Sequence, residues 1–466
     1  MVIPAKDFVL HMRLRKALFL SVIAVFFGMS NVSAQEKKGQ PDPSQQEPPA
    51  SSPTDLPATM EGLAGEGPLR QYPWFRNLWN NRRREWSQKV TQDQGSLVLF
   101  GDSITQGWPS VETYFPGVKI ANRGISGDTT RGMLIRLPED VLALNPKGLV
   151  LLMGTNDLEE GAEPAMIASN VKAILQSVKK ANPSMPVVLC LIFPSSESKK
   201  RPTEKIQATN KLLLQLVKGD SQVTVVDTFT LFADPQGNAI PELFPDLLHL
   251  NKNGYDRWAA ALRPILATLD FLELEKDSFE VEPGFKSLFN GKDLTGWGFR
   301  PTGAPKKPNT NPDAPAVPVV EQALSFDGKT ASPDGRYVAK HGRLIVTTPS
   351  EGRRIQQLWT VEEFATNFTM KLEFRATPNA DSGVFIRKPQ LQCRDYPLAG
   401  PYKDLKNYKP QDWNELVVIV RDNKAHCTCN GEVLESALEL PVTGPIGLEG
   451  DRGQMEYRRI RIKLEP

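Results

Sequence analysis

Between Leu97 and Val226 short apolar runs alternate with helical patterns, and this alternation leaves few folds open other than a parallel sheet with helices on both faces. The runs predict strands at Leu97 to Phe100, Val118 to Ala121, Leu149 to Met153, Val187 to Ile192 and Val223 to Val226. Helices are predicted from about Pro164 to Lys180, where Val171, Ile174, Leu175 and Val178 share one face, and from about Thr203 to Val217. The first strand runs into Gly101-Asp102-Ser103-Ile104-Thr105, which puts Ser103 at the carboxyl edge of the sheet, where open α/β folds bind ligands. Asp246-Leu247-Leu248-His249 follows the last strand and leads into a helix from Lys252 to Leu269.

A serine oxygen is a weak nucleophile at neutral pH. It needs a base to take its proton and an acid to hold that base in the productive tautomer. His249 and Asp246 supply both for Ser103. Taken singly, Gly-Asp-Ser is a turn with a helix N-cap and Asp-x-x-His is common. The order of four strand-end motifs carries the inference, because Asn122-Arg123-Gly124-Ile125-Ser126-Gly127-Asp128-Thr129-Thr130 and Gly154-Thr155-Asn156-Asp157 each follow another apolar strand. On these motifs the stretch from about Gly95 to Leu269 resembles the SGNH, or GDSL-like, esterases and lipases, and among them the platelet-activating factor acetylhydrolases. The resemblance implies a flavodoxin-like three-layer α/β fold. It also implies Ser103 as nucleophile, His249 as base and acid, Asp246 as its orienting carboxylate, and an oxyanion hole from the Ser103 and Gly127 N–H groups and the Asn156 amide. Acyl transfer passes through a tetrahedral alkoxide that such donors stabilise. Asp128 and Asp157 are read as fixing their loops through side-chain to backbone bonds. No spacing of His, Cys and Asp suggests zinc, and no phosphate loop is present, so no metal and no cofactor is expected. Of the four histidines, only His249 has an acid beside it within the α/β region.

The flanks carry addresses rather than chemistry. Arg13, Arg15 and Lys16 precede an apolar run from Ala17 to Met29, and Val32-Ser33-Ala34 offers small residues for cleavage, so residues 1–34 read as a secretory signal peptide, with Met12 a better start than Met1. A secreted or periplasmic protein without stable membrane insertion is expected. Residues 35–70 have the Pro, Gln, Ser and Glu composition of a flexible tether. From Tyr72 to Trp86, aromatic residues among Arg82, Arg83 and Arg84 predict an amphipathic helix packing on the esterase domain, assigned to residues 71–272. With a formal net charge of +2, nucleic acid is not an expected partner, and the oligomeric state is left open.

From residue 283 to 466 the pattern becomes alternating strands separated by Gly, Pro and Asn turns, including Asn430-Gly431, which predicts an all-β sandwich. Phe285 to Trp297, Ser382-Gly383-Val384-Phe385-Ile386-Arg387, Asp412-Trp413-Asn414-Glu415 and Gly444-Pro445-Ile446-Gly447-Leu448 resemble the 3-keto-disaccharide hydrolase domain, a jelly roll. That family often carries Glu-x-Gln followed by an Asp, whereas this chain has Gln390-Leu391-Gln392 and Asp395, so a carboxylate has become an amide that cannot exchange a proton. Glu373, Arg387, Gln392 and Asp395 are the candidates for sugar contact. Cys190 reads as a buried thiol, while Cys393, Cys427 and Cys429 allow one disulfide, Cys393 with either of the others. The expected whole is a secreted esterase acting on a small ester or acetylated glycan, with a glycan-binding or glycan-cleaving module. A short-chain lipid esterase and a glycan-binding adhesin with a vestigial esterase domain are the alternatives.

Overall fold

The computed structural model describes residues 52–274, 277–302, 319–347, 357–395 and 400–465. The leader and the first part of the tether lie outside the described residues. Among those described, no helix is long and apolar enough to cross a membrane.

A five-stranded sheet forms the first layer system. Its strands are β1 (Leu97–Gly101), β2 (Ile120–Gly124), β3 (Gly148–Leu151), β4 (Val187–Cys190) and β5 (Val223–Val226), in the order β2-β1-β3-β4-β5. Every pairing is parallel. β1, β3 and β4 are buried at every residue, as expected for strands covered on both faces. The helices are α1 (Pro73–Ser87), α2 (Ser103–Gln106), α3 (Thr130–Asp140), α4 (Thr155–Glu159), α5 (Pro164–Ala181), α6 (Thr203–Leu216), α7 (Thr228–Phe232) and α8 (Lys252–Thr268). One apolar cluster joins α3, α5 and α6 to one face of the sheet, and a second joins α8 and the aromatic residues Trp108, Phe193 and Trp258 to the other. The second strand starts two residues later than its apolar run, because Val118 packs outside the ladder and the pairing begins at Leu97 with Ile120.

The tether behaves differently from its composition. Leu56 and Leu69 are buried, the Leu56 N–H donates to Asn80 Oδ1, and Asn170 exchanges hydrogen bonds with the backbone of Glu66 in both directions. Residues 52–70 therefore lie along the α/β domain. A few apolar anchors and side-chain amides hold the segment where periodicity gives no sign of them. Helix α1 packs as predicted, with Phe75, Trp79, Arg83 and Trp86 buried on one face.

The second body is a sandwich. Its strands are β6 (Lys286–Ser287), β7 (Trp297–Phe299), β8 (Leu324–Ser325), β9 (Tyr337–Lys340), β10 (Arg343–Val346), β11 (Leu358–Thr360), β12 (Phe368–Ala376), β13 (Asp381–Ile386), β14 (Gln390–Arg394), β15 (Asn414–Arg421), β16 (Lys424–Cys429), β17 (Glu432–Glu439), β18 (Ile446–Arg452) and β19 (Met455–Leu464). One sheet runs β17-β16-β15-β12-β19-β10-β9 with β6 against β19, and the other runs β14-β13-β18-β11-β7-β8. Strict alternation of burial along β12 and β15 shows one face of each strand in the core. All four cysteines are buried free thiols, so the disulfide that the spacing allows is not formed.

Polar bonds join the two bodies. Lys340 Nζ donates to the Thr268 carbonyl (2.7 Å) and to Asp270 Oδ2 (2.6 Å), and the turn residue His341 places Nε2 3.1 Å from Asp270 Oδ1. Gln454 Nε2 donates to Thr268 Oγ1 at 3.0 Å, and Asn379 Nδ2 to Asp227 Oδ2 at 2.5 Å. A cleft of about 530 Å³ at this junction is walled by residues such as Leu214, Phe229 and Pro378 and includes none of Ser103, Asp246 or His249.

Trp79 is fully buried between α1 and the sheet domain, in contact range of Phe75 and of the Arg83 and Arg136 guanidinium groups. Trp79→Ala is expected to destabilise the α/β body by about 3–5 kcal/mol, read as a lower urea midpoint in far-UV circular dichroism. An unchanged midpoint would mean that α1 is not part of the cooperative core.

Candidate active site

Three strand ends and one loop build the site. Asp102 caps α2, with Oδ1 accepting the Ile104 N–H at 2.9 Å, and this turn presents Ser103 at the first helical position. The chain returns after β2 so closely that a Cβ on Gly124 would lie 2.3 Å from the Gln106 nitrogen, a contact only glycine permits. On the far side, Tyr255 of α8 donates its hydroxyl to the Ile104 carbonyl at 2.8 Å, tying α8 to α2. Leu247, with φ of +62°, bends the loop before α8, and Ser195 Oγ donates to its carbonyl at 2.8 Å. Asn251 then caps α8 through its side chain.

These constraints bring Ser103, His249 and Asp246 together. His249 Nε2 is 2.9 Å from Ser103 Oγ, and His249 Nδ1 is 2.8 Å from Asp246 Oδ2. Asp246 Oδ1 also accepts the backbone N–H groups of His249 (2.7 Å) and Leu248 (3.1 Å). Burial alone would raise the Asp246 carboxyl, but those bonds and the facing imidazole hold it down at about 2. The imidazole and carboxylate side chains are each 45% exposed, so the site is open at its mouth. Such a line can carry the Ser103 proton to imidazole while the carboxylate fixes the ring.

Gly127 and Asn156 face the same turn. Gly127 takes a φ of +85°, and among the described residues neither its N–H nor that of Ser103 donates a backbone hydrogen bond. Asn156 Nδ2 donates to the Asp128 carbonyl at 2.9 Å, and its Oδ1 accepts Arg201 Nη2 at 3.1 Å. That pairing fixes which end of the amide is which and uses one of its two N–H groups. Asp157 accepts the Thr130 N–H and hydroxyl, and Asp128 accepts the Thr129 N–H, so both acids hold loops.

Sequence reasoning missed the guanidinium groups beneath this surface. Fully buried Arg136 donates Nε to Asp128 Oδ2 at 2.7 Å and Nη2 to the Gly101 carbonyl at 3.1 Å, which links the end of β1 to the loop bearing Gly127. An arginine among Met133, Leu134 and Leu137 on the apolar face of α3 is the signal that could have found it. Arg201 and Arg70 both reach Glu159, and Arg70 also donates Nε to Glu160 at 2.7 Å.

The four candidate sugar contacts lie apart. Glu373 is paired with Arg458 (2.6 Å) and Arg459 (2.7 Å) on the eight-stranded sheet. Arg387 is buried, with φ of +62°, and binds Asn423 and the carbonyls of Pro441 and Thr366. Asp395 is buried, accepts the Asn379 N–H and Gln411 Nε2, and is pushed well above the usual carboxylate range by that burial. Gln392 alone stands beside Gly383 on the outer face of the six-stranded sheet, its Oε1 without a partner among the described residues. On that face Gln390 donates Nε2 to Glu449 of β18, next to the tilted pair Trp359 and Phe385. Glu449 escaped notice because it comes from another strand, one residue beyond the motif that ends at Leu448.

Arg136→Met would strand a buried carboxylate at Asp128, and a loss of about 3–5 kcal/mol is expected. Adding Asp128→Asn should recover part of it, measured by denaturant titration. Full additivity of the two losses would mean that the pair does not act as a unit.

Residues 99–257 match the GDSL-like Lipase/Acylhydrolase family, and residues 284–463 match the 3-keto-alpha-glucoside-1,2-lyase-like domain. Platelet-activating factor acetylhydrolase IB subunit alpha1 of Rattus norvegicus is 27% identical over 222 residues, which are 47% of this chain and 90% of that protein. Thioesterase 1/protease 1/lysophospholipase L1 of Escherichia coli K12 is 29% identical over 111 residues, covering 22% of this chain and 53% of that protein. A solved GDSL-like lipase from Bacteroides thetaiotaomicron superposes with a TM-score of 0.36 at 24% identity, over 39% of this chain and 97% of its own. The chain therefore carries a hydrolase domain of the GDSL-like lipase/acylhydrolase family, joined to a 3-keto-alpha-glucoside-1,2-lyase-like domain.

Proposed function

We propose that the α/β domain is a secreted or periplasmic serine esterase that removes acetyl and other short acyl groups from carbohydrate, and that the β-sandwich holds the glycan. The observation that carries this reading is the hydrogen-bonded line from Asp246 through His249 to Ser103. Ser103 Oγ attacks the acyl carbonyl carbon while its proton passes to His249 Nε2. The alkoxide so formed is met by the N–H groups of Ser103, Gly127 and the Asn156 amide, one such donor typically contributing ~3 kcal/mol. His249 then protonates the departing sugar hydroxyl. Water, deprotonated by the same imidazole, attacks the acetyl-enzyme and frees acetate. The open mouth of the site supports a bulky alcohol portion, and the absence of a long apolar insertion between the motifs supports a small acyl group. A second reading, hydrolysis of a short-chain lipid ester, is favoured by the acetylhydrolase relatives.

The purified chain is expected to hydrolyse p-nitrophenyl acetate faster than the octanoate, and Ser103→Ala to bring both to background. Faster turnover of octanoate would overturn the acetyl assignment. Acetate release from acetylated oligosaccharide rather than from a 2-acetyl phospholipid decides between the two alcohols.

Because Asp246 is held at about 2, it stays ionised through the weakly acidic and neutral range, and its own protonation should not contribute to the fall of kcat/KM over that range in a pH–rate profile. The carboxyl pKa is depressed on folding. Its stabilising contribution is therefore present above the unfolded value of 3.8 and is lost only as pH falls through about 2. Asp246→Asn should lower kcat by up to ~10⁴ through the wrong tautomer. Near-normal turnover in that variant would move the orienting role elsewhere.

A further inference from the structure

We propose that Tyr72 and Trp74 form a sugar-binding platform at the esterase site, on which a pyranose ring of the acetylated carbohydrate stacks beside Gly127. The inference rests on the serine-esterase reading and names the part of the chain that selects its alcohol.

The platform comes from Tyr72, which caps α1, and Trp74 in its first turn. Phe75, Trp79 and Trp86 of this helix are buried, yet Trp74 is 51% exposed and Tyr72 49% exposed. Their rings are nearly parallel and stacked, with an interplanar angle of 10° and centroids 6.3 Å apart, so each braces the other and apolar ring surface is left open to solvent. That surface adjoins the chemistry. Trp74 Cη2 lies 2.6 Å from the point where a Cβ on Gly127 would sit, and Arg70 Nη1 lies 2.9 Å from the same point. The ring edge therefore rests on Gly127 itself.

The platform is also fixed in advance. Leu69 and Phe75 on either side are buried, Thr129 Oγ1 donates to the Pro68 carbonyl at 2.7 Å, and Arg70 is anchored by Glu159 and Glu160 through Nη2 and Nε. Holding two rings rigidly in water exposes apolar surface with no return unless something covers them. A pyranose fits the combination, since its C–H face matches an aromatic ring and its hydroxyl rim matches a guanidinium N–H. A quaternary ammonium head would also stack on indole, but it carries no oxygen to accept a hydrogen bond from the Arg70 guanidinium.

The test uses the full chain with partially acetylated xylotriose and ethyl acetate as the two esters. In Trp74→Ala, kcat/KM on the xylotriose ester is expected to fall about tenfold further than on ethyl acetate, with the difference in KM. Trp74→Phe should recover most of it. Equal losses on both esters overturn the platform, as does a larger loss on a 2-acetyl phosphocholine lipid. Binding without turnover separates this idea from the esterase reading: in the Ser103→Ala background, acetylated xylotriose is expected to quench tryptophan fluorescence, and Trp74→Ala to abolish the quench. Quenching that depends on Trp74 in a chain that hydrolyses neither ester would leave the platform standing and the esterase reading lost. Hydrolysis with neither a Trp74-dependent quench nor a KM effect would do the reverse.

Discussion

Arg136 is the point on which the esterase half turns. Its guanidinium is withdrawn from water, and that is costly unless nearly every donor is met. Here Asp128, Asp140 and the Gly101 carbonyl meet them, and the rings of Phe100, Trp79 and Trp86 close over the cation at 4.4, 5.9 and 5.7 Å. The same group thus holds the end of β1, the loop with Gly127 and the inner face of α1. Remove α1 and the cation faces solvent on one side. The N-terminal helix is for this reason part of the esterase fold, and the aromatic pair at its start inherits a fixed position relative to Gly127.

The site has a wet mouth and a dry floor. His249 and Asp246 are half exposed, whereas Asp102, Asp128 and Asp157 beneath them are buried, and burial pushes their carboxyls up to about 6, 7 and 6. The sign matters for stability. Folding raises these values, so the contribution of each proton is full below the unfolded value of 3.8 and is lost as pH rises through about 6 to 7. The floor therefore contributes less to stability at neutral pH than in mild acid. The donors proposed to meet an oxyanion would have to be rigid before the reaction begins, and loops pinned by buried polar groups supply rigidity at the expense of stability.

Much of this was legible in the chain. Apolar runs located the five parallel strands because strands covered on both faces need continuous hydrophobicity, and the polar motifs at their ends stood out by contrast. Ser103, His249 and Asp246 come into hydrogen-bond reach through elements that the pattern located. Long-range burial was not legible. Leu56 and Leu69 are isolated apolar residues in a Pro-rich stretch, and their partners lie far along the chain, so neither period nor composition reveals them. The proximity of Trp74 to Gly127 belongs to the same class: it follows from how α1 crosses the sheet domain. The cysteines show the limit from the other side, since three thiols can share a core without pairing.

The β-sandwich makes the same point about carboxylates. With an amide at position 390, the strand that carries it has lost an acid, and by sequence the sheet face should lack one there. Register supplies it from elsewhere: Gly383 pairs with Gln392 on one side and with Glu449 on the other, and the absence of a side chain at Gly383 lets Gln390 reach across to the Glu449 carboxylate. Gln357 also donates to that carboxylate, at 3.3 Å. The face thus keeps an acid held by two amides, beside an aromatic pair. Whether a sheet surface can exchange protons is decided by what neighbouring strands bring to it, and a substitution on one strand removes that capacity only when no partner strand restores it.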